Sequence, residues 1–278
     1  MDEIAGSGNT VDMGDRWLDV RLGRTPKTDA HAANYPSISP YAYAANNPIL
    51  YVDLDGKDVY FYISAKPVGT TKIRLIGSEN VEGAPSTIEV PVYQMSVTDD
   101  VTGKTSTYLV TRDAPVINSS NPSNDANPVL EYFGLDETTY NVQNTAFEPK
   151  EDKGQYKAIG LEYPKGLGAY ALRNLQGGEN LEAKDTPLRT GDATGVMIHV
   201  GGVYQTSDGA TRVTGSLGCF TLCGDDAGND GMNRLVNDVY SRQQANKKAG
   251  KGTDVNVTID KRKDVDWESK TDKSGKKK

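Results

Sequence analysis

Glycine and proline fall so often along this chain that it cannot be built from long helices. There are 29 Gly and 13 Pro in 278 residues, and each in a helix interior costs about 1 and 3 kcal/mol respectively. The runs between these breaks, at 59–63, 72–76, 88–97 and 106–110, are rich in β-branched and aromatic residues, the composition of strands. A further β stretch is expected around 156–163. A short apolar strand is expected over 195–200, passing through His199, and polar–apolar alternation over 253–259 predicts a last strand. Asp100-Val101-Thr102-Gly103 reads as a hairpin turn. Residues 113–128, rich in Pro, Asn, Ser and Asp, read as a long surface loop. One helix is predicted, because Met232, Leu235, Val236, Val239 and Tyr240 repeat at helical spacing, with Asn229 or Asp230 as its N-cap.

The expected fold class is therefore mainly β, with one or two helices. Three segments are expected: 1–56, turn-rich and too short for a core of its own, with 1–11 a lead-in; 57–260, the folded domain; and 261–278, a basic, disordered tail. No run approaches the ~18 apolar residues of a spanning helix, so no membrane insertion is expected. Net charge is −7, and the tail carries eight Lys/Arg against four Asp/Glu, so the body is more acidic still. An acidic body lacks the basic face that nucleic acid requires. Met1–Gly6 has neither a basic n-region nor an apolar h-region, so no secretory signal is expected there.

Reactive residues are scarce. The two cysteines are Cys219 and Cys223, and the two histidines are His31 and His199. A clustered Cys/His zinc site cannot be assembled from them, and neither metal nor cofactor is expected. Cys219 and Cys223 in an extended segment lie too far apart for a disulfide. Cys223 reads as a small buried residue.

What remains is one constellation: His199-Val200-Gly201-Gly202, then Ser216-Leu217-Gly218-Cys219-Phe220, with sixteen residues between His199 and Ser216. A nucleophilic thiol needs a base within hydrogen-bond reach, and backbone N–H groups aimed at the developing oxyanion. Gly218 before the Cys permits a sharp turn, and Gly201-Gly202 leave room beside the imidazole. The Asp208-Gly209 turn between the two motifs suits a hairpin that brings them together. The competing structural reading is a buried His beside a buried Cys. The order His before Cys, with no histidine after Cys219, leaves a papain-like arrangement without a base. A thiol paired as an ion with His199 is expected to titrate well below the usual ~8.5.

This stretch resembles the catalytic motif of the L,D-transpeptidase (YkuD-like) family: a His, a spacer, then Ser/Thr-His-Gly-Cys. The resemblance implies a β-sandwich catalytic domain whose Cys attacks a peptidoglycan stem peptide. Carried over, Cys219 is the nucleophile, His199 the base, and the Val200 carbonyl the group that orients the imidazole, with Gly201 as second choice. The Gly218 and Cys219 N–H groups are oxyanion donors. Gly201, Ser216, Arg212 and Tyr204 are the implied substrate contacts. Two positions depart from the pattern: Leu217 stands where the family has its second His, and Thr221 where it has Arg, a cation that Arg212 is expected to replace.

Residues 12–56 carry a second likeness. Ser39-Pro40-Tyr41-Ala42-Tyr43-Ala44-Ala45-Asn46-Asn47-Pro48, followed by Asp53-Leu54-Asp55-Gly56, resembles the end of the Rhs-repeat-associated core, with Leu54 in place of a proline. That family joins a β-cage shell to a variable C-terminal toxin. Together the two resemblances imply an antibacterial effector of a type VI secretion system, acting in the target cell's periplasm. Its implied partners are the peptidoglycan stem peptide, a cognate immunity protein, and the Rhs shell with its secretion apparatus. The alternatives are a non-catalytic shell-end or peptidoglycan-binding module, or a Cys hydrolase acting on another amide.

Overall fold

The computed structural model describes residues 9–12, 17–28, 39, 41, 59–99, 101–118, 133, 141–163, 166–185, 191–206, 208–249 and 251–263. Most of the Rhs-like segment, including Asp53–Gly56 and His31, lies outside the described residues, as does 264–278; the first residues of the tail expected over 261–278 are instead part of the fold, with Arg262 buried. The chain divides into two compact units. One takes in Met1–Tyr60, Thr98–Ser106 and Asp238–Val255; the other takes in Phe61–Val97, Thr107–Asn237 and Asn256–Lys278.

In the first unit, β1 (Thr10–Asp12) pairs antiparallel with β2 (Trp17–Asp19). Part of the expected lead-in is therefore a strand. The Asp19 carboxylate accepts the Arg21 and Leu22 N–H groups at 3.0 and 3.3 Å and closes the turn that follows. Asp99 does the same for the predicted hairpin turn. Its Oδ1 accepts the N–H groups of Val101 and Thr102, and Gly103 takes the left-handed conformation at φ 61°. Arg242 grips that turn from a helix, donating to Asp99 Oδ2 at 2.8 Å and to Ser106 Oγ at 2.8 Å.

Most residues of an eight-stranded closed barrel belong to the second unit. The barrel's members are β3 (Val59–Arg74), β4 (Thr87–Asp99), β5 (Thr105–Thr111), β8 (Lys153–Tyr163), β9 (Gly166–Arg173), β10 (Met197–His199), β13 (Phe220–Leu222) and β14 (Val255–Asp260). They follow the order β10-β13-β5-β4-β3-β14-β8-β9. The mainly β expectation holds: 47% of the described residues are in strands. The run at 59–63 and residues 72–74 of the next run are the two ends of one strand, β3, rather than two strands. The strand runs straight through Pro67 and Gly69 because its middle is exposed, where a missing N–H breaks no buried ladder.

Two short strands, β6 (Pro115–Asn118) and β7 (Asn141–Asn144), form a separate antiparallel pair. This corrects the long surface loop expected over 113–128. Asp113 and Ala114 are buried and 115–118 is a strand, while 119–128 lies outside the described residues. The polar composition misleads there because the carboxylate of Asp113 is neutralised inside. It accepts from Arg262 and from Asn144, each at 2.8 Å.

Among the described residues the one α-helix is α1 (Gly228–Lys248). Met232, Leu235 and Val239 are buried as predicted, but Tyr240 is 59% exposed. Helix α1 starts at Gly228, so Asn229 and Asp230 stand in its first turn and not at the cap. Asp230 there still favours the helix, since a carboxylate near the N-terminus meets the positive end of the dipole.

Two arginines and two carboxylates are buried together. The Arg112 guanidinium donates to the carbonyls of Ser64 and Asp260 at 3.1 and 2.8 Å, and to Glu148 Oε2 at 3.1 Å. Arg262 bonds Glu148 through Nε, and donates to Tyr93 Oη at 3.1 Å and to Asp113 Oδ1 at 2.8 Å. Burial lowers the Arg112 pKa to about 10, still protonated at neutral pH. Its guanidinium lies 5.7 Å from the ring centre of Phe220, the residue after Cys219. The inner face of β13 is thereby packed against a fixed ionic core.

Candidate active site

Strand β10 is the piece on which His199 sits. It pairs antiparallel with β9 and parallel with β13, in a register that puts His199 beside Thr221 and Ile198 beside Phe220. Side chains alternate along strands. Ile198, Phe220 and Leu222 enter the core, which leaves His199, Thr221 and Cys219 to the opposite face. Cys219 lies two residues back from Thr221. At ~3.3 Å per residue and ~4.8 Å between strands, its Cα is about 8 Å from that of His199. An imidazole and a thiol can bridge that span.

The His199 tautomer follows from one contact. Nδ1 lies 2.7 Å from the Val200 carbonyl oxygen. A carbonyl only accepts, so Nδ1 carries the proton and Nε2 presents its lone pair. Burial lowers the imidazole pKa, against an opposing push from that carbonyl, so His199 is neutral at pH 7.

The sequence Ser216–Cys219 is held by one hydroxyl. Ser216 Oγ donates to the Cys219 carbonyl at 2.8 Å and accepts the Gly218 N–H at 3.1 Å. Ser216 is thus buried inside the turn and shapes it. Of the two proposed oxyanion donors, the Gly218 N–H is already committed to Ser216, which leaves the Cys219 N–H. Gly218 sits at φ 129°, and a Cβ added there would lie 2.8 Å from the Thr145 carbonyl oxygen. Gly201 is as constrained, since its Cβ would fall 2.2 Å from Thr221 Cβ. Gly201 therefore serves close packing between β10 and β13. Gly218→Ala is expected to cost about 1–3 kcal/mol through backbone strain alone and to displace the thiol. Thermal melts and Cys219 labelling rates of that variant check both parts.

The thiol is partly buried beside an open cavity. Cys219 Sγ donates to the Gly195 carbonyl at 3.6 Å, and among the described residues no hydrogen bond joins it to His199. Burial pushes the Cys219 pKa above that of an ordinary thiol, and a backbone hydrogen bond from Met197 only partly opposes this. The expected thiolate–imidazolium ion pair is therefore corrected: the resting pair is a neutral thiol and a neutral imidazole. Desolvation penalises both charged forms, and without a direct contact no pairing energy offsets it. Iodoacetamide labelling of Cys219 should climb only through the alkaline range, with a midpoint no lower than that of an ordinary thiol at ~8.5. A midpoint well below pH 8, read by peptide mass spectrometry, would restore the ion pair. Cys223, fully buried, has its pKa pushed up to about 12 by burial and by Asp226, and should label slowly throughout.

A cavity of about 280 Å³ opens beside the thiol, lined by residues 192–196 on one side and 217–219 on the other. It lies near the lower end of the ~300–1,000 Å³ usual for ligand sites. Cys219 and Gly218 line it. His199, Gly201, Ser216, Tyr204 and Arg212 do not. Tyr204 and Arg212 face each other across a hairpin of β11 (Gly202–Gln205) and β12 (Thr211–Thr214). Tyr204 packs on Gly228, where an added Cβ would meet its side chain at 2.8 Å. Sequence reasoning missed Asp192, which lies in an unpatterned loop and joins the thiol's cavity only through the fold, and missed that the Gly195 carbonyl, at the head of the expected strand, accepts from the thiol. No cluster of metal-ligating residues occurs among the described residues. No helix among them is long and apolar enough to cross a membrane.

No family model, curated protein or solved structure matches this chain.

Proposed function

We propose that this chain is the toxin-bearing end of an Rhs-type antibacterial effector, and that its Cys219–His199 pair acts on peptidoglycan stem peptides as an L,D-carboxypeptidase or L,D-transpeptidase. The observation that carries the reading is the parallel pairing of β10 with β13. It sets a tautomer-fixed imidazole and a cavity-lining thiol on one face of the barrel wall. The arrangement is read as an L,D-transpeptidase-like catalytic domain. The Rhs-like string at 39–56 supports delivery by a type VI apparatus, with the periplasm of a competitor as the place of action and an immunity protein in the producer.

The chemistry follows from the neutral resting pair. As the stem-peptide carbonyl enters the cavity, the thiol proton passes to His199 Nε2 while sulfur attacks carbon. The Val200 carbonyl, accepting from Nδ1–H, stabilises the positive charge that forms on the ring, and the Cys219 N–H donates to the oxyanion. Collapse expels the amine of the terminal residue, which takes the proton from the imidazolium and leaves a thioester. Water or another stem's amine then cleaves the thioester and regenerates the thiol. Such a general base is typically worth 10²–10⁴-fold.

Digestion of purified sacculi with the full chain, followed by mass spectrometry of the muropeptides, tests the reading. Loss or exchange of the terminal stem residue is the expected result. Unaltered muropeptides, with another amide turned over, would move the enzyme to a different substrate. Expression behind an export signal should lyse cells, whereas expression in the cytoplasm should be tolerated. Equal killing from both compartments would exclude the cell wall as the target.

A further inference from the structure

Among the described residues, the charge lining the cavity beside Cys219 is of one sign. Among the described residues, Asp192 is the one charged side chain lining the cavity. Asp185, on the same loop, accepts the Gly191 N–H at 2.7 Å and adds a second carboxylate nearby. The position where the resemblance leads one to expect a cation is Thr221, which is buried and whose Oγ1 has no partner. Arg212 is on the β11–β12 hairpin and does not line the cavity. The wall facing Asp192 is apolar: Leu217 lines it while remaining 68% exposed. No described residue of this wall offsets an anion. A carboxylate opposite an alkyl surface suits a positively charged group on an aliphatic stem.

We propose that the cavity beside Cys219 selects an alkylammonium group of the substrate, with Asp192 as the specificity-determining residue and Leu217 covering the methylene stem. The inference rests on the reading of Cys219 as the nucleophile that attacks stem peptides. In such a peptide the group is the free side-chain amine of the diamino residue. Stems whose amine is already acylated in a cross-link lose that contact, so uncross-linked stems react faster. Two unit charges ~6 Å apart interact by an amount worth roughly threefold in rate through water and about a hundredfold at a protein surface, so about tenfold is expected at an open site between these limits.

The thiol itself can report the local charge without any peptidoglycan. Two methanethiosulfonate reagents serve, one bearing a trimethylammonioethyl group and one a sulfonatoethyl group. In each, the Cys219 thiolate attacks the sulfenyl sulfur, a new S–S bond forms, and methanesulfinate leaves with the electron pair of the broken S–S bond. The thiol proton goes to solvent. Rates are read on the full chain from the mass of the Cys219 peptide and divided by the rates for free cysteine. The cationic reagent should be favoured by about tenfold in the wild type. That preference should vanish in Asp192→Asn and reverse in Asp192→Lys.

A second arm uses stem tetrapeptides with the side-chain amine free or N-acetylated. The free amine should be preferred in the wild type and equalised in Asp192→Asn. A wild-type reagent ratio equal to that of free cysteine, or one that Asp192→Asn leaves unchanged, overturns the inference. A reagent ratio that follows Asp192, with neither peptide turned over, leaves the charge selectivity standing and removes the peptidoglycan reading.

Discussion

Cys219→Ala is expected to abolish the change in muropeptides while leaving the barrel folded. The side chain lies outside the core, on the face opposite Phe220 and Leu222, so its removal creates no core cavity. What it removes is the one atom able to form the thioester. His199→Ala should retain the thiol yet lose about 10²–10⁴-fold in rate, the usual worth of a general base. Because the resting pair is neutral, His199→Ala should move the alkaline labelling midpoint of Cys219 little, and its effect should appear in turnover. Cys223→Ala supplies the contrast. That thiol is fully buried and belongs to the packing around the Leu109 carbonyl, which accepts the Cys223 N–H at 3.0 Å. Most activity should survive there. The measurement is product formation from sacculi, with circular dichroism to establish folding. Activity lost in Cys223→Ala and kept in Cys219→Ala would end the assignment of the nucleophile.

The second large effect is on stability. Glu148→Ala should destabilise the protein by about 3–5 kcal/mol. Glu148 accepts from Arg112, from Arg262 Nε and from the Arg262 N–H, the last at 3.1 Å. Its removal leaves two guanidinium groups in the interior with Asp113 as the remaining partner among the four charges. For a chain of this size each kcal/mol is worth roughly 2–4 °C, so Tm should fall by about 10 °C. Arg173→Ala is the control. It breaks the Arg173–Glu179 pair, in which Glu179 is well exposed, and pairs near solvent are worth about 0–1 kcal/mol. Denaturant or thermal melts separate the two variants. Equal effects would mean that the buried cluster is not holding the barrel together.

The cluster also bears on the site, because Arg112 stacks on Phe220 and Phe220 anchors the strand that follows Cys219. A Glu148 variant that still folds should therefore label faster at Cys219, as β13 loosens.

Local pattern alone carried much of this. The β-branched runs became β3, β4 and β5, the 232–239 spacing became α1, and Asp-x-x-Gly became a hairpin turn held by Asp99. Each of these depends on neighbours a few residues away, so a one-dimensional reading suffices. The pairing of His199 with Cys219 as candidates came from scarcity: two histidines and two cysteines leave few combinations.

Other features required the assembled fold. The parallel register of β10 on β13 joins segments separated by a whole hairpin, and nothing in either segment specifies it. Asp113 looks like a loop residue until Arg262, 149 positions away, is brought against it. Asp192 and Leu217 become walls of one cavity only when two loops converge. The protonation of the thiol reversed the expectation from motif alone, because a pKa is set by desolvation and by contacts through space. Sequence spacing names the groups that can react; burial, fixed by the tertiary structure, decides which form of each group is present.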